Sequence, residues 1–202
     1  MKRTVLAAIF LALSTAVALP APVAAQMRSE GYTFLKAVKD KDGDVVTDML
    51  SDPSSQIVNS RDISSGENAL HIVVRRRDAT WVRFLLGNGA NPNLGDRAGV
   101  TPLQLAVQLG FADGVAELVK RGARVDVTNA AGETPLISAV HRDDAELVKV
   151  LLEAGANPDR ADNSGRTARD YAAFRPGSMA LAAIADHESD RQAAIPTYGP
   201  KF

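Results

Sequence analysis

Three regularities in the chain predict an all-α repeat solenoid built from stacked helix-turn-helix units. Glycine-led segments recur at equal spacing: GENALHIVV from Gly66, GVTPLQLAV from Gly99, GETPLISAV from Gly132 and GRTARDYAA from Gly165, each 33 residues after the last. A second segment recurs in phase with them, as FLLGNGANPN, ELVKRGARVD and VLLEAGANPD. Between successive units lie Asn-, Asp- and Gly-rich stretches such as Asn93 to Gly99, whose side chains favour tight, hairpin-like turns.

The N-terminus reads differently. Lys2 and Arg3 precede a run from Val5 to Leu19 that is apolar apart from Ser14 and Thr15, and the small residues Val23-Ala24-Ala25 follow. This is the order of a secretory signal peptide, and the run is shorter than the roughly 20 apolar residues of a membrane helix. Cleavage after Ala25 is expected, in preference to a retained anchor, with no stable membrane insertion afterwards. Removing residues 1–25 takes away two basic residues and no acid, leaving 21 basic against 24 acidic residues, a net of −3. A mildly acidic chain is a poor ligand for nucleic acid. The absence of cysteine, beside an export signal, fits a bacterial periplasm better than a disulfide-rich extracellular space.

The units themselves can be justified in order. Residues 31–65 read as a degenerate first repeat: FLKAV, a turn at Asp42-Gly43, VVTDML, and a finger two residues longer than the others. Its acids (Asp40, Asp42, Asp44, Asp48, Asp52) suit an outer face in water. Full repeats follow at 66–98, 99–131 and 132–164. Thr101, Thr134 and Thr167 are placed to cap first helices, and Pro102 and Pro135 sit at the first helical position, where the missing N–H costs nothing. Gln104 completes a capping box with Thr101. Second helices such as Ala145 to Ala154 carry Leu147, Val148, Leu151 and Leu152 and stop at a glycine, Gly155, as others stop at Gly89 and Gly122. Residues 165–186 close the array, with Met179, Leu181 and Ile184 packing backward. His187 to Phe202 includes Pro196 and Pro200, shows no helical period, and reads as a flexible tail. Two departures should weaken their repeats locally: Asn68-Ala69 in place of Thr-Pro, and Gly114 at a second-helix site usually filled by a larger apolar residue. Trp81 reads as inter-repeat core.

Thr-Pro-Leu opening a helix, followed by Leu-Leu-x-x-Gly-Ala, resembles the ankyrin-repeat family, and the likeness extends over about three quarters of the chain. It implies an array with finger-like β-hairpin loops and a concave face, lined by finger tips and first-helix ends, on which a protein partner binds. Carried onto this chain, that face comprises Arg75, Arg76, Arg97, Gln108, Leu109, His141, Arg142, Arg166, Phe174 and Arg175, an arginine-rich set suited to a partner with an acidic patch. His71 falls at the histidine of the family's TPLH pattern, which the resemblance makes a structural tie between helix and finger.

Catalysis is not expected. No glycine-rich phosphate loop, GxSxG elbow or zinc-ligand spacing occurs, so neither enzyme, metal nor cofactor is implied. Asp40-Lys41-Asp42-Gly43-Asp44 is calcium-like only superficially, since its glycine comes too early and Ser51 holds the twelfth position. In layout the chain resembles exported bacterial ankyrin proteins, which implies a periplasmic protein-binding module. An immunity protein or inhibitor of an envelope-targeted toxin or enzyme is the alternative.

Overall fold

The computed structural model describes residues 23–52 and 55–194, and among them ten α-helices are joined by turns. They form five pairs: α1 (Val23–Asp40) with α2 (Gly43–Met49), α3 (Ala69–Arg75) with α4 (Ala79–Gly87), and α5 (Pro102–Gln108) with α6 (Ala112–Lys120). The remaining two are α7 (Pro135–His141) with α8 (Ala145–Glu153), and α9 (Ala168–Ala173) with α10 (Met179–Ala194). The first helices α1, α3, α5, α7 and α9 pack on one another in sequence, and α4, α6, α8 and α10 form the second layer. The leader expected at residues 1–25 lies outside the described residues except for Val23–Ala25, where α1 begins.

Burial follows the repeat. Leu70, Leu103 and Leu136 on the first helices are 1%, 1% and 0% exposed, and Leu85, Leu118 and Leu151 on the second helices are all 0% exposed. Each leucine sits between the same elements of neighbouring units, so one contiguous core runs along the stack. The helix starts follow local chemistry. Thr101, Thr134 and Thr167 each accept the N–H three residues on, and Gln104 returns a bond to the Thr101 N–H at 2.9 Å. The helix-ending glycines Gly89, Gly122 and Gly155 have φ of 84°, 83° and 88°, a region open to residues without a Cβ.

Asn68 does what threonine does elsewhere, and so does not leave its repeat uncapped. Its Oδ1 accepts the His71 N–H at 3.2 Å, and its Nδ2 reaches the Leu94 carbonyl in the next finger at 3.4 Å.

The fingers are turns and not β-hairpins. Among the described residues the only bridge outside named strands is an isolated antiparallel one between Arg61 and Asn68. In each finger an Asp or Asn supplies what a strand pair would. The Asp96 Oδ1 accepts the N–H groups of Ala98 and Val100, both at 2.9 Å, while the main chain contributes Asp96 N–H to Val100 O at 2.9 Å and the turn bond Gly99 N–H to Asp96 O at 3.0 Å. Asp62, Asn129 and Asp162 repeat this role. With the N–H that would extend the pairing taken by a side chain, the main-chain bonds stay within the turn and no ladder propagates.

The closing unit differs from the sequence reading in two places. α10 continues past His187 to Ala194, because Asp186 to Ala194 contains no glycine or proline and Glu188 pairs with Arg169 of α9. Residues 195–202 lie outside the described residues. Of the three apolar residues expected to pack backward, Ile184 is 2% exposed, but Met179 and Leu181 are 61% and 39% exposed, and Ala180 takes the buried site instead.

Gly114 is the other correction. A Cβ there would run into the ring of Phe111, which fills the volume that a larger residue would otherwise occupy. Phe111 is itself 7% exposed and belongs to the core. Helix propensity alone favours Gly114→Ala by about 1 kcal/mol, but overpacking a filled site costs about 1–3 kcal/mol. Denaturant melts of Gly114→Ala are therefore expected to show a net loss of stability; a net gain would mean that the ring moves aside freely.

Candidate protein-binding face

The ends of the first helices are held by arginines. Arg76 donates through Nη1 to the Val38 carbonyl at 2.5 Å, Arg142 to Gln108 at 3.1 Å and Arg175 through Nη2 to His141 at 3.2 Å. Each arginine follows its own first helix and reaches back to the end of the preceding one. The last carbonyls of a helix have no intrahelical acceptor role, and a cation there also opposes the negative end of the helix dipole. Leu109 occupies the same repeat position as Arg76 and Arg142. At that junction Arg77 reaches forward and donates to the Leu109 carbonyl, so the brace comes from the other side.

This placement divides the residues that the sequence assigns to the face. Arg76 is a brace whose side chain is only 20% exposed, paired with Asp78 and lying over the Trp81 ring at 5.4 Å. Trp81 is half-buried and packs against the core. Arg142 and Arg175 are exposed, but each spends one N–H on a neighbouring helix. Arg75 pairs with Glu67 of its own unit, and Arg97 donates to the Ile63 carbonyl of the preceding finger. Gln108 is exposed, and Leu109 is half-buried against the core.

The remaining three residues come together at the last two units. Arg166, beside the last finger, lies with its guanidinium 5.8 Å from the Tyr171 ring centre and 5.5 Å from that of Phe174. Among the described residues it makes no ion pair and no side-chain hydrogen bond. Phe174, at the end of α9, is 68% exposed. The His141 ring leans on Tyr171 at 4.4 Å, and its Nε2 stands 3.5 Å from the Glu133 Oε1. Tyr171 is fixed from the finger side: its hydroxyl donates to the Asp162 Oδ2 at 2.7 Å. That hydroxyl, with the Ser164 hydroxyl and the turn N–H groups, holds the Asp162 carboxyl well below the usual carboxylate range.

Tyr171 was missing from the sequence-derived face. Its repeat equivalents are Ile72, Leu105 and Ser138, so an aromatic residue breaks the series at one position, and that break was the available signal.

His71 is buried, and its Nε2–H donates to the Val100 carbonyl at 2.9 Å while its Nδ1 accepts the Asn68 N–H at 3.3 Å. It ties helix to finger. Gln104 makes the equivalent tie one unit later, with Nε2 donating to the Val127 carbonyl at 3.1 Å. No group of three or more His, Cys, Asp or Glu side chains among the described residues is placed to hold a metal ion. No helix among them is long and apolar enough to cross a membrane.

A solenoid of helix pairs with turn fingers and a side-chain-lined inner face defines a repeat-protein scaffold of the kind that presents a surface, not a pocket. Two family models, described as ankyrin repeats (3 copies) and ankyrin repeats (many copies), match residues 34–129 and 118–172, together more than half of the chain. The chain belongs to the ankyrin-repeat family. It is similar to the nuclear factor NF-kappa-B p110 subunit of Drosophila melanogaster, with 46% identity over 52 residues, covering 26% of this chain and 5% of that protein. It is also similar to the human neurogenic locus notch homolog protein 4, with 51% identity over 45 residues, covering 22% of this chain and 2% of that protein. The fowlpox virus protein FPV031 shares 41% over 51 residues, covering 25% of this chain and 15% of its own length. The chain thus spans only a small part of the curated relatives it matches.

Burial holds the His71 imidazole below its ordinary pKa, so the folded chain favours the neutral ring. Its stabilising contribution is fully present above the unfolded value of about 6.5 and is lost as pH falls from there through the folded value. Melting temperature should therefore fall on acidification below about pH 6.5, with a slope of at most about 1.4 kcal/mol per pH unit from this group. His71→Gln, which can reproduce the bonding of Gln104, should remove that part of the slope in thermal melts at pH 7, 6 and 5. An unchanged slope would assign the acid sensitivity to other groups.

Proposed function

We propose that the chain is a non-enzymatic protein-binding module of the bacterial periplasm, and that it binds through the face of fingers and first-helix ends. The single observation that carries the binding reading is the exposed Phe174 beneath the Arg166 guanidinium, with Tyr171 and His141 packed behind. Aromatic and arginine side chains are frequent anchors at interfaces, and here the two are paired in the open. Family membership supports the general role. The leader-like residues 1–25 and the absence of cysteine support export.

The preferred partner surface combines an apolar recess for Phe174 with carboxylates for Arg166, Arg142 and Arg175. The latter two retain N–H groups beyond those used as braces. Arg166 is the position to test, because it braces nothing.

Affinity capture from envelope extract, followed by mass spectrometry, should recover a partner. Arg166→Glu with Phe174→Ala should weaken its binding at least about ten-fold, the scale of an interface anchor, with melting unchanged. Association should also slow as salt rises, since screening acts over about 8 Å at physiological ionic strength. Binding that survives the double change, or that is lost equally on reversing the outer Lys120, would move the site elsewhere.

Export has its own check. Protein recovered from its native host should begin at Gln26 by intact mass. A species retaining Lys2 and Arg3 in the membrane fraction would overturn the periplasmic reading.

A further inference from the structure

Away from the finger face, the outer sides of α8 and α10 border an open groove of about 770 Å³. Its floor is apolar and small: Ala145 from α8, and Ala182 and Ala183 from α10, with Met179 at one end, 61% exposed. Its rim is acidic: Glu146 and Glu153 on one side, Asp186 and Asp190 on the other. The basic residues there are Lys149 and His187, and Lys149 is turned along its own helix toward Glu153 at 3.9 Å.

The corresponding gap between α4 and α6 is closed. There Arg83 crosses to Glu117, with Nη2–Oε1 at 2.8 Å and Nε–Oε1 at 3.1 Å. Among the described residues no such pair joins α8 to α10, and the alanines at 182 and 183 leave the space unfilled. Two helices with an apolar trough between them and an excess of carboxylate along both edges, where Lys149 answers only Glu153, match one kind of guest. It brings small-to-medium apolar side chains on one face and cations on its flanks.

From Met179 to Asp190 the groove follows α10 for twelve residues, roughly 16 Å at 1.5 Å per step, the length of about three helical turns. We propose that this groove docks a basic amphipathic helix of another protein, laid beside α8 and α10 as one more member of the outer layer. Charge argues against a second copy of this chain in that place, because symmetric pairing would set Asp186 and Asp190 against carboxylates of the same kind. It argues equally against nucleic acid. The site is separate from the finger face and does not depend on the function proposed for it.

The probe is a fluorescein-labelled 15-residue peptide with leucines along one helical face and lysines along the other, measured by fluorescence anisotropy against the purified protein. Saturable micromolar binding is expected, at least ten-fold tighter than to a scrambled peptide of the same composition. Asp186→Lys with Asp190→Lys should weaken it at least ten-fold. Ala182→Phe, at an exposed position, should do the same with the charge unchanged. Glu146→Lys, on the opposite wall, supplies an independent variant should either change disturb α10, as judged by circular dichroism melts. Arg166→Glu should leave the affinity within two-fold. The proposal fails if the scrambled peptide binds equally well, if filling the trough has no effect, or if binding follows Arg166. It fails too if sedimentation shows dimers that the Asp186/Asp190 reversal converts to monomers, since the groove is then a self-contact.

Discussion

A short helix leaves its last carbonyls unpaired, and an array of short first helices meets that problem at every junction. In this chain the answer is a guanidinium from the adjoining unit: Arg76 on Val38, Arg77 on Leu109, Arg142 on Gln108 and Arg175 on His141. Stacking of leucines supplies most of the energy of association between units. The arginines tie the ends of adjacent first helices together along the border of the inner face. A partner bound there, as proposed, would meet Arg142 and Arg175 already held at one end, and ordering them would cost less entropy.

Much of the architecture was legible because it rests on local rules applied at a fixed interval. The capping threonines, the prolines after them, the leucine positions and the helix-ending glycines act through neighbours a few residues away in sequence. What escaped depends on contacts across units. Nothing in the local sequence distinguishes an arginine offered to solvent from one bonded to a carbonyl 34 or 38 residues back, so Arg76 and Arg142 read as interface groups of the same standing as Arg166. Gly114 reads as an oddity until the Phe111 ring is seen in the space of the missing side chain. α10 was cut short because its C-terminal half lacks an apolar period; its helicity there rests on propensity and on the Glu188–Arg169 pair.

The candidate site divides the same way. His141, Arg166 and Phe174 were found by aligning equivalent positions, since the outward surface of each unit repeats as strictly as its core. Tyr171 was not, because an inner-helix position with Ile72 and Leu105 as counterparts reads as packing. It is both: half-buried against the core, it also carries Arg166 and His141 on its ring and reaches Asp162 through its hydroxyl. The finger turn, the inner helix and the exposed cation are thereby coupled through one side chain.

The start of α10 is organised from outside its own unit. Ser178 caps the helix by accepting the Leu181 N–H at 3.2 Å, but its hydroxyl donates to the Asp143 Oδ1 at 2.8 Å, and the Ala180 N–H binds that same oxygen at 3.0 Å. Asp143 belongs to the preceding unit and occupies the left-handed turn position, φ 53°, that Arg77 and Gly110 hold in earlier units. The closing unit is therefore not an interchangeable part. Grafted onto a different array it would keep the Ser178 cap but lose the carboxylate that anchors it, unless the last host unit offered an acidic side chain in that same bend. Modularity in this protein runs through the middle of the stack and stops one unit short of its end.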